Sequence, residues 1–240
     1  MILGLSEKNI RVILSPSPPV TIGFLNIIIA KFKNAKVIYN VQEIYPDLLI
    51  EEGGLKSKSI INLLKWLERF VYNHSDAVIT IDQVFYDTIV SRFKEKNKLH
   101  IIPNFVDTEI YHPLLNNKLN IDPSLFPESD SLKLMYAGNI GHAQDWIPLI
   151  ELVNELKEES VEFFVIGEGA MRGFLESEKK SKNLKNLHLI AYQPRELMPS
   201  LLAFSDLQFI FMAPKTEGHG FPSKVYTIMA CAKPIMVCSG

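Results

Sequence analysis

Cysteine is nearly absent from this 240-residue chain. Cys231 and Cys238 are its only two, too few for a disulfide framework or a four-cysteine zinc site, so a reduced, cytoplasmic setting is the default expectation. Long hydrophobic runs are missing as well. The most apolar stretch, residues 20–30, covers little more than half of the roughly 20 residues that cross a bilayer. The apolar start, residues 1–5, is too short for a signal peptide, and no small-residue cleavage site follows it. These absences predict no transmembrane anchor and leave peripheral membrane contact open. Charge of one sign is not in excess either: 25 Lys+Arg stand against 27 Asp+Glu, a formal charge of −2. That balance argues against a dedicated nucleic-acid binder, which carries a basic surplus. The six histidines fall into no metal-ligand spacing such as H-E-x-x-H, and neither a Walker A sequence nor a G-x-S-x-G elbow appears.

What is present reads as a folded α/β protein. Hydrophobic residues make up 47% of the chain and charged ones 22%, enough apolar material for one large domain or two of roughly 100–130 residues. Short β-branched runs at 11–15, 36–40, 77–81, 100–103, 133–137, 162–166, 187–191, 207–212 and 234–238 predict strands. Helical periodicity fills the gaps, clearest at 60–71, where Ile60, Leu63, Leu64, Leu67 and Phe70 recur; 146–157, 170–180, 195–204 and 225–232 read likewise. Strand–helix alternation predicts doubly wound parallel sheets. A stretch rich in Pro, Asn and Asp between Pro103 and Leu132 separates two α/β halves, which places domains at residues 1–110 and 111–240.

In parallel α/β sheets, ligands bind beyond the carboxyl ends of the strands, and several segments stand there. Tyr136-Ala137-Gly138-Asn139-Ile140-Gly141 ends one apolar run; its glycines admit close backbone approach, and Asn139 offers a donor and an acceptor. Ile166-Gly167-Glu168-Gly169 ends the next, with Glu168 able to hold a sugar hydroxyl. Both read equally as ordinary strand-to-helix turns. The fullest segment runs Pro214-Lys215-Thr216-Glu217-Gly218-His219-Gly220-Phe221-Pro222-Ser223-Lys224. There Ser223 is the expected helix N-cap, and Lys224 and free amides would favour a phosphate. A capped helix with a surface Glu and Lys is the competing reading. In the first half, Glu43 and Asp47 follow the run at 36–40 and either face a ligand or are solvated loop acids. Lys56, Lys58, Lys65 and Arg69 border the periodic segment 60–71; a solvated helix face and a contact with anionic lipid headgroups both fit them.

Taken in order, these segments resemble glycosyltransferase family 4, in its bacterial surface-polysaccharide branch. The likeness rests on Ser15-Pro16-Ser17-Pro18-Pro19, residues 40–47, Ile101-Ile102-Pro103-Asn104-Phe105-Val106-Asp107-Thr108, residues 136–141 and 165–169, Tyr192-Gln193-Pro194-Arg195-Glu196, and residues 217–224. It implies the GT-B fold, two Rossmann-like domains facing across a cleft, and transfer of a sugar with retention from a nucleotide diphosphate, UDP before GDP, to a saccharide or lipid-linked saccharide acceptor. The donor would bind the second domain through Gly138, Asn139, Gly141, Glu168, Tyr192, Gln193, Gly220, Ser223 and Lys224, with Glu217 as the catalytic acid of the family's E-x7-E element. Glu43 and Asp47 would lie on the acceptor side. Beyond that co-substrate no cofactor and no metal are expected, and any membrane contact would fall to the first domain. The chain departs from the pattern in lacking the second acid: Val225 occupies its place, or Thr227 if aligned on Met229-Ala230. It also lacks the strand that opens family members and the elements that close them, which suggests truncation at both ends. A non-hydrolysing sugar-nucleotide 2-epimerase of the same fold, or a fragment that only binds nucleotide, are the alternatives.

Overall fold

The computed structural model describes residues 6–51, 54–114, 119–213 and 222–238. The chain divides into two compact units between Asn104 and Phe105. The break precedes the Asp-Pro cluster that marked it in the sequence, because Tyr111 is already buried against Leu202, Ile210 and Ile228 of the second unit. Asn104, by contrast, donates its side-chain amide to Gln42 in the first.

Unit one alternates strand and helix: β1 (Val12–Ser17), α1 (Val20–Lys33), β2 (Lys36–Val41), the short α2 (Asp47–Glu51), α3 (Lys58–His74), β3 (Ala77–Thr80), α4 (Gln83–Ile89) and β4 (Leu99–Ile101). The four strands are parallel and lie in sequence order β1-β2-β3-β4. Right-handed crossovers in one direction put successive helices on one face, and α1 packs on α3 there. The core on that face is built from Val20, Tyr39, Val41, Val71, Tyr72, Val78 and Phe85. Helix α1 went unmarked in the sequence because it is apolar nearly all round. It ends at Asn34, whose left-handed backbone (φ 51°) returns its N–H to the Ala30 carbonyl. Helix α4 starts at Asp82, which accepts from the Phe85 amide at 2.8 Å.

Unit two contains β5 (Leu132–Ala137), α5 (Ile147–Glu155), β6 (Val161–Ile166), α6 (Arg172–Ser181), β7 (Leu187–Ile190), α7 (Met198–Phe204), β8 (Leu207–Phe211), α8 (Lys224–Ala230) and β9 (Ile235–Cys238). Its five parallel strands run in the order β7-β6-β5-β8-β9. The direction of winding therefore reverses between β5 and β8, the topological switch point at which open α/β sheets bind ligands. Phe163, Phe209, Trp146, Leu149 and Val165 fill one side of this sheet, and Phe126, Met135, Phe164 and Leu201 the other. Each unit is thus a Rossmann-like α/β domain, and all nine strands read from the sequence are present.

The two units share a device that begins a strand. In Ser75-Asp76 before β3, the serine hydroxyl donates to Val71 of the preceding helix (2.8 Å), and the aspartate accepts from the Val37 amide of the neighbouring strand (2.8 Å). In Ser205-Asp206 before β8, the serine donates to Leu202 (2.9 Å) and the aspartate accepts from the Lys133 amide (2.8 Å). Each pair caps an open carbonyl and fixes the register of the next strand through one peptide.

Candidate functional site

At the carboxyl ends of β5 and β6, a cavity of about 300 Å³ is lined by Ala137, Gly138, Asn139, Ile166, Gly167, Glu168, Tyr192, Gln193 and Met198. Five of the residues singled out in the sequence meet here: Gly138, Asn139, Glu168, Tyr192 and Gln193. The two strand ends approach through backbone alone. Gly138 donates its N–H to Ile166 (2.9 Å), Gly167 donates to Ile190 (3.0 Å), and Ile140 donates to Glu168 (2.8 Å). A Cβ on Gly167 would fall 2.0 Å from the Gly138 carbonyl oxygen, and one on Gly169 2.2 Å from that of Ile140; both glycines also hold positive φ, at 139° and 155°. A Gly167→Ala variant is therefore expected to lose about 1–3 kcal/mol from backbone conformation alone. That should lower the thermal midpoint by roughly 2–4 °C per kcal/mol, and an unchanged melting curve would refute the close approach.

Lys224 completes the site. It lies in the first turn of α8, which follows β8, and it reaches across the switch point to β5. Its Nζ donates to the Ala137 carbonyl at 3.2 Å and sits 3.5 Å from the centre of the Tyr136 ring. A Cβ on Gly138 would stand 2.8 Å from that nitrogen, so the absence of a side chain there gives the ammonium its space. Burial, with no described carboxylate to offset it, pushes the Lys224 pKa down to about 7. The hydrogen bond to Ala137 and the cation–π contact are the local interactions that favour the charged form. Tyr136 is itself fixed: its hydroxyl donates to the Asn139 carbonyl at 2.7 Å, and burial raises its pKa.

Ser223 departs from expectation. It has helical φ and ψ (−55°, −20°) and makes no side-chain cap. The turn has already begun at Pro222, whose carbonyl accepts from the Val225 amide at 3.0 Å, so Ser223 sits inside the turn rather than in the extended conformation a cap requires. Gly141 does not line the cavity; it shapes the turn beside it, accepting from the Trp146 indole at 2.8 Å and donating to Gln144 at 3.1 Å. Tyr192 is 67% exposed, an aromatic face open at the cavity's rim. Glu217 and Gly220 lie outside the described residues.

Arg172 was not recognised in the sequence. Its guanidinium donates to the carbonyls of Gly167 (2.6 Å) and Ile190 (3.0 Å), and it pairs with Glu168 at 3.5 Å and Glu176 at 3.0 Å. It thus ties the ends of β6 and β7 to α6 and holds one wall of the cavity. The four-residue spacing from Glu168 was the available signal. In unit one, Asp47 opens α2, but its carboxylate is engaged by Arg92 and, at 3.8 Å, by Lys65. The Glu43 backbone carbonyl accepts from the Ser17 hydroxyl at 3.2 Å. Among the described residues, no group of three or more His, Cys, Asp or Glu is placed to hold a metal ion, and no helix is long and apolar enough to cross a membrane.

Comparison with known proteins agrees with this fold. Residues 5–110 match the model for Glycosyltransferase Family 4, and residues 117–239 that for Glycosyl transferases group 1. WcaI of Escherichia coli K12, named as a colanic acid biosynthesis glycosyl transferase, is 22% identical over 207 residues, 85% of this chain and 51% of WcaI. The alpha-galactosylglucosyldiacylglycerol synthase of Streptococcus pneumoniae R6 is 25% identical over 195 residues, 78% of this chain and 50% of the synthase. The chain therefore spans about half the length of the curated relatives it matches. Among solved structures, HepE of Anabaena in complex with UDP superposes with a TM-score of 0.69 at 14% identity, covering 95% of this chain and 60% of HepE. With two Rossmann-like units in the GT-B order and both halves matched, the chain belongs to the glycosyltransferases of family 4 and group 1.

Proposed function

We propose that the second unit binds a nucleotide diphosphate sugar, UDP-sugar before GDP-sugar, and that the protein transfers the sugar with retention to a lipid-linked saccharide in surface-polysaccharide synthesis. The observation that carries this reading is Lys224, a half-buried ammonium held by a carbonyl and an aromatic face at the switch point, beside glycines that leave room for a ligand. A diphosphate at Gly138 supplies the counter-charge this group lacks among the described carboxylates, and charge-assisted hydrogen bonds to phosphate are the strong ones. Tyr192 offers its exposed ring to the base, and Glu168 its carboxylate to a hydroxyl of the ribose or sugar.

In the transfer itself, charge develops on the leaving diphosphate and on an oxocarbenium-like sugar. Lys224 and the backbone amide at Asn139 would stabilise the first, and Glu217 the second. No metal enters this scheme. HepE solved with UDP supports the donor class, WcaI the polysaccharide setting, and the diacylglycerol glycolipid synthase a lipid-borne acceptor. The test is calorimetric titration of the chain with UDP and with GDP. Saturable binding of UDP and weaker binding of GDP is expected; binding of neither would overturn the donor reading.

A further inference from the structure

We infer that Tyr136 is a positioning residue for the donor: its ring holds the Lys224 ammonium, and its hydroxyl holds the Asn139 turn, in one place for a single diphosphate. The inference rests on the donor reading and deepens it by naming what sets the two phosphate contacts.

The ring has a fixed orientation. Tyr136 is the penultimate residue of β5 and is 2% exposed; its side chain enters the core shared by Phe163, Phe209 and Trp146. The Trp146 ring meets it nearly at right angles (83°) with centres 5.1 Å apart, and the Phe209 ring of β8 lies at 6.0 Å. Trp146 is itself tethered through its indole N–H to the Gly141 carbonyl. Neighbours before α5 and on β8 thus set the plane of the Tyr136 ring.

Two polar contacts leave that ring. Over its face, the Lys224 Nζ stands 3.5 Å from the centre. At its edge, the hydroxyl donates to the Asn139 carbonyl at 2.7 Å. One contact belongs to α8 and the other to the turn after β5, so a single side chain links the two sides of the switch point. Burial raises the Tyr136 pKa, which keeps the phenol neutral; the ring attracts the ammonium through its quadrupole and not through a phenolate charge.

A donor remains open at each end. An ammonium has three N–H groups. One goes to the Ala137 carbonyl and one to the ring face, which leaves one without an acceptor among the described residues. In the turn, the Ile140 amide is taken by the Glu168 carbonyl and the Ile140 carbonyl by the Met171 amide, whereas the Asn139 amide has no acceptor among the described residues. Gly138 has no side chain to intervene: a Cβ there would stand 2.8 Å from the Lys224 Nζ and 3.5 Å from the Tyr136 hydroxyl. A diphosphate at Gly138 takes both open donors together.

Charge makes the ring matter to affinity. Burial lowers the Lys224 pKa to about 7, with no charged group among the described residues contributing, and Tyr136, the titratable side chain in contact, stays neutral. At pH 8 the ammonium must be regained before a diphosphate binds. The ring face favours that charge and holds it in place, while the hydroxyl acts separately by fixing the turn.

The test is calorimetric titration with UDP at pH 8 of Tyr136→Phe, of Tyr136→Leu, and of a variant with Tyr136 replaced by a ring-trifluorinated phenylalanine, each with and without Lys224→Met. Fluorine drains negative charge from the ring face at nearly constant shape, so that variant decides the matter if melts show the leucine one unfolded. Tyr136→Phe is expected to weaken binding about fivefold in both backgrounds, the loss of one neutral hydrogen bond. Leucine and the fluorinated ring are expected to lose roughly 3- to 10-fold more beside Lys224, and nothing more in Lys224→Met. The same further loss in both backgrounds would make Tyr136 an ordinary core residue and overturn the inference. So would leucine and fluorinated variants that match phenylalanine beside Lys224, or a phenylalanine variant that matches the wild type. A wild type that does not bind UDP overturns the donor reading, and the inference with it; a wild type that binds, with any of those three patterns, overturns the positioning role alone.

Discussion

Lys224→Met is expected to weaken binding of a UDP-sugar by about 10- to 150-fold, the equivalent of roughly 1.5–3 kcal/mol for one lost hydrogen bond to a charged group. The same change is expected to raise the thermal midpoint. Both follow from one arrangement. In the folded protein, burial holds the Lys224 pKa near 7, against an ordinary value of 10.5. Between those values the unfolded chain binds the extra proton, so stability rises with pH across that window. Below about pH 7 the ammonium is charged in both states and its burial penalty is fully present. Methionine removes that penalty, so its stabilising effect should be largest below pH 7 and fade toward pH 10.5.

Ligand affinity should move the other way. A diphosphate requires the charged ammonium, so above pH 7 binding takes up a proton and wild-type affinity falls, approaching tenfold per pH unit, while the methionine variant stays flat. A UDP-sugar is the probe, because the terminal phosphate of UDP titrates at about 6. Calorimetry across pH 6–9 and thermal melts at the same pH values decide the matter. Loss of stability with unchanged affinity would make Lys224 a structural residue and move the phosphate elsewhere.

Much of this was legible locally and some of it was not. Strands such as β6, with Phe163, Phe164 and Val165 all buried, announce themselves because a strand covered on both faces is a short apolar run. The Gly138 and Gly167 turns were legible because a strand followed by glycine is a near-neighbour signal. Lys224 was legible as a cation after the turn residues Pro222 and Ser223, but its partners were not. Ala137 stands 87 positions away, and only the reversal of strand order between β5 and β8 brings it close. Ser223 was misassigned as a cap for the opposite reason: the local pattern was right, and Pro222 began the turn one residue early. Arg92 left no signal at all, since its carboxylate partners are 24 and 45 residues away.

Arg92 carries the largest expected effect on stability. Its guanidinium is 15% exposed and bridges Glu68 of α3, 2% exposed, to Asp47 at the start of α2, while Tyr72 donates to the same Glu68 oxygen at 3.0 Å. Arg92→Met leaves a buried carboxylate with only that hydroxyl, a loss of about 3–5 kcal/mol, or about 12–40 °C in the midpoint of unit one at roughly 4–8 °C per kcal/mol for a unit of that size. The pH dependence follows from Glu68. Desolvation outweighs Arg92 and Tyr72 and raises its pKa from 4.5 to about 7, so between those values the folded state binds more protons than the unfolded. Wild-type stability therefore declines as pH rises through that window; the penalty is absent below 4.5 and complete above 7. Without Arg92 the carboxylate holds its proton to still higher pH, which caps the deficit and makes it largest in alkaline solution. Glu68→Gln removes the titration while keeping an acceptor for Tyr72, so its stability should be flat across the window and close to or above wild type at pH 8. Melts of the two single variants and the double variant apportion the network. If Arg92→Met melts with the wild type at pH 8, the bridge does not hold α2 on α3, and the segment bearing Glu43 and Asp47 is positioned by packing of Ile44 and Tyr45 instead.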